Sequence, residues 1–172
     1  MDEVEKLADK MRAETARQNN LISQGKYATV LDPTKPVGPP KMKDEVPFIN
    51  FAPLQNALSS LIAESSLTMM ALDKLVEANI SSAKAAELNK LVYQAEQKLT
   101  ANGLPRRPWY VHQIYAPGFY TGYGVKTLPG IREAIEQRTW PEVDEQMIIT
   151  AAALNQYSKQ LVKIRGLAEQ IK

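Results

Sequence analysis

Four stretches of this chain carry apolar residues at the three- and four-residue spacing of a helix. The segments between them hold too much proline, glycine and aromatic character to continue one. In residues 2–23 the stripe is Val4, Leu7, Ala8, Met11, Leu21 and Ile22, with Gly25 placed to stop the helix. Residues 53–78 open on Pro53 and carry Leu54, Leu58, Leu61, Ile62, Met69, Leu72 and Val76. Ser81 or Ser82 can cap a third helix over 82–101, with Leu88, Leu91, Val92, Ala95 and Leu99, ended by Gly103 and Pro105. The last pattern covers 141–170, with Val143, Met147, Ala151, Leu154, Leu161 and Ile164 on one side and Gly166 weakening its final turns. Thr139-Trp140-Pro141-Glu142 reads as its capping box, and Pro129 opens a short extra helix over 129–137.

Four amphipathic stripes bury one another most simply as a four-helix bundle, so the expectation is an all-α fold and a single domain over residues 1–172. With 172 residues, 44% of them hydrophobic, the chain can build a real core. No strand pair and no internal repeat is visible. Residues 26–50, with Pro33, Pro36, Pro39, Pro40 and Pro47, read as an extended connector anchored by Phe48, Ile49 and Phe51.

The residue inventory removes several functions. The chain has one histidine, His112, and no cysteine. It therefore lacks the two histidines of a helical zinc site, any thiol nucleophile and any disulfide framework, and no metal ligand set or catalytic residue is expected in it. No phosphate-binding glycine loop or nucleophile elbow occurs, so a small self-contained hydrolase fails on inventory. His112 reads as a structural, hydrogen-bonded residue, and the scattered carboxylates read as solvated faces. Formal net charge is +2 with no basic run, which argues against nucleic acid as a partner. No apolar stretch reaches the roughly 20 residues needed to cross a bilayer. The acidic start, Met1-Asp2-Glu3-Val4-Glu5, reads as helix rather than signal peptide. The absence of cysteine leaves the compartment open.

Residues 104–128 do not fit an ordinary loop. Trp109, Tyr110, Tyr115, Phe119, Tyr120 and Tyr123 place six of the chain's twelve aromatic residues within sixteen positions. Such a segment must fold onto its own core or be covered by something else, and tyrosine keeps a polar end that suits an interface or a pocket rim.

At this segment the chain resembles a known family. Gly103-Leu104-Pro105-Arg106-Arg107-Pro108-Trp109-Tyr110-Val111-His112-Gln113-Ile114-Tyr115-Ala116-Pro117, then Tyr123, Leu128-Pro129-Gly130-Ile131 and Trp140 to Ala153, are similar to the final segment of glutamate carboxypeptidases of the prostate-specific membrane antigen type. The resemblance implies a transferrin receptor-like dimerisation domain: a helical bundle C-terminal to a zinc peptidase domain, pairing with a second copy. Zinc would belong to that peptidase domain and not to this chain, which would have no activity alone. The parent would be an exported protein. The family also sends a loop of this domain into the peptidase pocket, where a Lys-Tyr pair holds the substrate's terminal carboxylate. Counted from Tyr115-Ala116-Pro117, the pair falls on Gly122 and Tyr123, so the hydroxyl donor is kept and the cation is lost. The expected partners are a second copy and the peptidase domain of the same polypeptide. The expected seam is the last helix, through Met147, Ile148, Ala151, Leu154 and Leu161, although the same residues could face the chain's own core. A free-standing helical adaptor that binds another protein through the aromatic loop is the alternative reading of the same residues.

Overall fold

The computed structural model describes residues 1–27, 34, 38, 40–76, 78 and 80–171. The chain forms two compact units, Met1–Ile49 and Asn50–Lys172. In the first, helix α1 spans Asp2–Ser23. Asp2, Glu3 and Glu5 in its first turn complement the helix dipole. Gly25 ends it as expected: with φ at +66°, it turns the chain so that its own amide reaches the Ile22 carbonyl and the Lys26 amide reaches Leu21.

Pro33, Pro36 and Pro39 of the expected connector lie outside the described residues. The stretch from Lys41 onward is extended and is tied to α1 of the same unit. Asn19 donates to the Lys43 carbonyl at 2.7 Å and accepts from the Lys43 amide at 3.0 Å, while Arg12 donates to the Pro47 carbonyl at 3.2 Å. The expected anchors are met in part. Val46 and Ile49 are buried, Phe51 is half-buried and Phe48 is exposed. The spacing 43, 46, 49 matches the three-residue period of a polyproline II chain, which presents every third residue to one side.

The second unit is built on one long helix. In chain order it contains α2 (Ala52–Val76), α3 (Ser82–Tyr93), a 3₁₀ turn (Glu96–Leu99), strands β1 (Tyr115–Pro117) and β2 (Val125–Thr127), α4 (Pro129–Gln137) and α5 (Trp140–Gln170). Helices α2, α3 and α4 and the 3₁₀ turn all pack on α5. Their interior holds Leu54, Ile131, Ile135, Val143, Met147 and Ile164, each almost wholly buried. A continuous cluster at one end joins Ala71 and Leu75 of α2, Leu88 of α3 and Leu161, Ile164 and Ala168 of α5. Polar ties cross the same interface: Thr68 to the Leu161 carbonyl at 3.3 Å, Gln160 to the Leu91 carbonyl at 2.8 Å and Arg165 to Glu64 at 2.6 Å. The mostly helical class is as expected.

Four local features are corrected. The third helix was expected to reach residue 101 and stops at Tyr93. Backbone groups beyond it pair with the aromatic segment instead: Gln113 with Leu99, Ala101 with Val111 and Leu104 with Tyr110, at 2.8–2.9 Å. A strand pair exists, antiparallel, with Tyr115 opposite Thr127 and Pro117 opposite Val125, and three residues per strand are too few to show a two-residue period. The capping box does not form, because the Glu142 carboxylate is taken by Arg106 and the Thr139 hydroxyl donates to the Ala134 carbonyl. Helix α5 runs unbroken through Gly166 to Gln170.

A Cβ built on Gly166 meets nothing within 4 Å. Gly166→Ala therefore removes unfolded-state freedom without a clash, and is expected to stabilise the chain by about 0.5–1 kcal/mol in urea denaturation. A lowered urea midpoint would contradict an unstrained helix at this position.

Candidate functional site

The aromatic segment is organised by two adjacent arginines between two prolines. Arg106 takes a left-handed backbone conformation, φ +63°, and the Arg107 amide closes the turn onto the Leu104 carbonyl at 3.1 Å. Gly103 precedes this turn with φ +102°, where a Cβ would collide with the Pro108 backbone, so only glycine fits. The turn sends the two guanidinium groups in different directions. Arg106 makes a two-pronged pair with Glu142 of α5, at 2.8 Å on both arms.

Arg107 is buried, and a buried cation needs a partner of opposite charge. It finds one in Glu133 of α4, which is 2% exposed, at 2.7 and 2.8 Å from one terminal nitrogen. The other terminal nitrogen donates to the Pro117 carbonyl at the end of β1. One Glu133 oxygen also accepts from the Phe119 amide at 2.8 Å. One ion pair thus fastens a turn, a strand end and the first residues of a hairpin tip to a helix. The Phe119 ring lies 5.9 Å from the Arg106 guanidinium carbon and 5.8 Å from that of Arg107, inside cation–π range of both. Expecting every carboxylate on a solvated face missed Glu133. Its signal was weak: a charge beside Ile131, Ala134 and Ile135 on a helix of nine residues.

Beyond this knot the chain rises into a short tip. Gly118 donates to the Gly124 carbonyl at 2.8 Å, the β1–β2 pair closes below it, and Lys126 pairs with Glu136 of α4. At the tip Gly122 has φ +66°, a region that L side chains rarely adopt, so a lysine in its place would be strained. Tyr123 is fully exposed, and Tyr120 and Trp109 are largely so. The tip therefore offers phenol hydroxyls but no ammonium or guanidinium, since Lys126, Arg106 and Arg107 are each held by a glutamate. Such a surface can donate hydrogen bonds to a carboxylate or another acceptor and stack on an apolar wall. Among the described residues no three His, Cys, Asp or Glu side chains stand together as a metal site.

The other expected site residues lie on α5. Met147, Ala151, Leu154 and Leu161 are buried within the chain, and Ile148 alone of the five is exposed. No helix among the described residues is long and apolar enough to cross a membrane.

His112 sits at the root of the hairpin. Its Nδ1 accepts from the amides of Ile114 (3.2 Å) and Tyr115 (3.4 Å), and its ring lies 4.0 Å from that of Tyr115. This is the structural role expected of it. Burial holds the imidazole below its ordinary value of 6.5, against the opposing pull of Glu96 3.9 Å from Nε2. The fold thus favours the neutral ring. As pH falls below about 6.5, the unfolded chain takes up a proton that the folded chain resists, and stability declines. Since His112 is the chain's single histidine, His112→Asn, whose side-chain oxygen can accept the same amides without titrating, is expected to flatten thermal stability between about pH 7 and pH 5.5. An unchanged slope in that window would contradict the assignment.

Comparison with known proteins places these features in a family. Residues 49–162 match the transferrin receptor-like dimerisation domain. A 90-residue stretch is 37% identical to a probable glutamate carboxypeptidase of Arabidopsis thaliana, covering 48% of this chain and 13% of that protein. A 92-residue stretch is 27% identical to a probable glutamate carboxypeptidase of Arthroderma benhamiae, covering 52% of this chain and 12% of that protein. The chain thus spans a small part of the length of these relatives. With well over half of its residues matched, and the matched region holding α2 to α4 and most of α5, the chain belongs to the transferrin receptor-like dimerisation domain family.

Proposed function

We propose that this chain is the homodimerisation and structural domain of a glutamate carboxypeptidase-like zinc peptidase, and that its hairpin completes the substrate pocket of a peptidase domain carried on the same polypeptide. The observation that carries this reading is the anchored tip. Tyr123 is fully exposed, yet the hairpin beneath it is fixed to α4 by two ion pairs and by the Phe119 amide. A mobile surface loop needs no such fastening. A loop that must present one hydroxyl at a fixed place in another domain does, because a displacement of about 1 Å is enough to weaken an oriented contact.

In this reading the Tyr123 hydroxyl donates to the terminal carboxylate of a peptide substrate. Gly122 supplies no cation, and Lys126 is already neutralised by Glu136. The contact is a neutral donor to a charged acceptor, weaker than the lysine-assisted one that the family resemblance implies, so the parent's preference for a C-terminal glutamate is relaxed. The chain itself binds no zinc and has no activity alone; the metal and the hydrolytic groups belong to the peptidase domain.

Tyr123→Phe in the full-length parent is expected to raise the Michaelis constant for peptides with a free C-terminal carboxylate by about tenfold, with little change in turnover. An unchanged Michaelis constant would sink the proposed contact.

A further inference from the structure

The family description says that the domain dimerises, and the structure narrows where. Helix α2 turns Leu54, Ala57, Thr68, Ala71 and Leu75 inward. Its opposite side is unlike a solvated helix face. Between Ala52 and Leu72 the sole charged residue is Glu64, and it is directed to Arg165 of α5. What faces outward is Gln55, Ser59, Ile62 and Ser66, flanked by Ala63, Met69 and Met70, with Ile62, Met69 and Met70 each more than half exposed. Large apolar side chains without intervening charge mark an interaction surface. The exposed side of α5, by contrast, carries Asp144, Glu145, Lys159 and Lys163 beside Ile148 and Val162.

We propose that this outward face of α2, centred on Ser59, Ile62 and Ser66, is the surface through which two copies of the chain pair, an inference that rests on the homodimer reading above. A two-fold interface sets a patch against itself, so any net charge on it would meet its own sign. This face has none. It also lacks the charges that would steer and select a different protein. At its centre the Ser66 hydroxyl already donates to the Ile62 carbonyl at 3.1 Å, so burying it strands no donor. Serine and alanine between the larger side chains let two helices approach closely. About 20 residues of helix give a face about 30 Å long. Two such faces bury on the order of 1,200 Å², the low end for a specific interface, so the dimer should dissociate on dilution.

The test uses the 172-residue chain, whose lack of cysteine makes a single introduced thiol a clean reporter. Sedimentation equilibrium of the wild type, of Ile62→Asp with Met69→Glu, and of Ile148→Asp is run alongside oxidative cross-linking of Ser66→Cys. All four positions are exposed, so each variant should keep its helical content. The expected result is a wild-type dimer, association weakened roughly tenfold or more by the α2 charges and unaffected by Ile148→Asp, and a disulfide-linked Ser66→Cys dimer. A wild-type dimer that survives the α2 charges and fails to cross-link would overturn the α2 assignment while leaving the homodimer reading intact. Loss of that dimer with Ile148→Asp would put the seam on α5. A wild-type monomer at every concentration would overturn both.

Discussion

Arg107 and Glu133 are a cation and an anion removed from water together, and most of what is distinctive in this chain hangs from them. Neither could be buried alone, because an unpaired ion in the interior costs several kcal/mol, and removing one member of such a pair commonly costs about 3–5 kcal/mol. That is a large share of the roughly 5–15 kcal/mol by which domains are stable. Both terminal nitrogens and the carboxylate have further work: the guanidinium also serves the Pro117 carbonyl and the carboxylate also serves the Phe119 amide, while the buried Arg107 Nε is left without a partner. Two further pairs, Arg106 with Glu142 and Lys126 with Glu136, tie the same segment to α5 and α4. A stretch with almost no regular structure is thereby made part of a helical framework.

That framework has a division of labour. Helix α5 is the spine, and its apolar side is used up internally by α2, α3 and α4. Helix α2 has an inner face that serves the core and an outer face that none of the described elements of its own unit covers. The hairpin has a fixed base and a free tip. The matched stretches span about an eighth of the relatives' length, and these two exposed surfaces are the ones that the proposed pairing and pocket roles would use.

The helices were legible because apolar spacing is a direct consequence of burying one side of a 3.6-residue repeat. The stop of α1 at Gly25 and the serine cap of α3, at Ser81, followed from capping chemistry. What was not legible depended on partners distant in sequence. Leu99 fitted the stripe of α3, but its carbonyl is claimed by Gln113. Glu142 completed a capping-box pattern, but Arg106 is the stronger partner. Met147, Ala151, Leu154 and Leu161 were correctly read as apolar, yet a stripe states which side of a helix is covered and not by what. The aromatic segment was recognisable as unusual, and Tyr123 was singled out from it. The knot that holds it was invisible, because nothing near Arg107 in the sequence points to Glu133.

A pre-organised hairpin under Tyr123 must be held as firmly as the helices it is tied to, and native-state amide hydrogen exchange at Phe119 reads this directly. The Phe119 amide lies in an irregular, solvent-facing segment and has the buried Glu133 carboxylate as its acceptor. It is expected to exchange as slowly as amides in the middle of α4, through the same cooperative opening. Exchange at the rate of an exposed loop, with α4 and α5 still protected, would contradict a pre-organised hairpin.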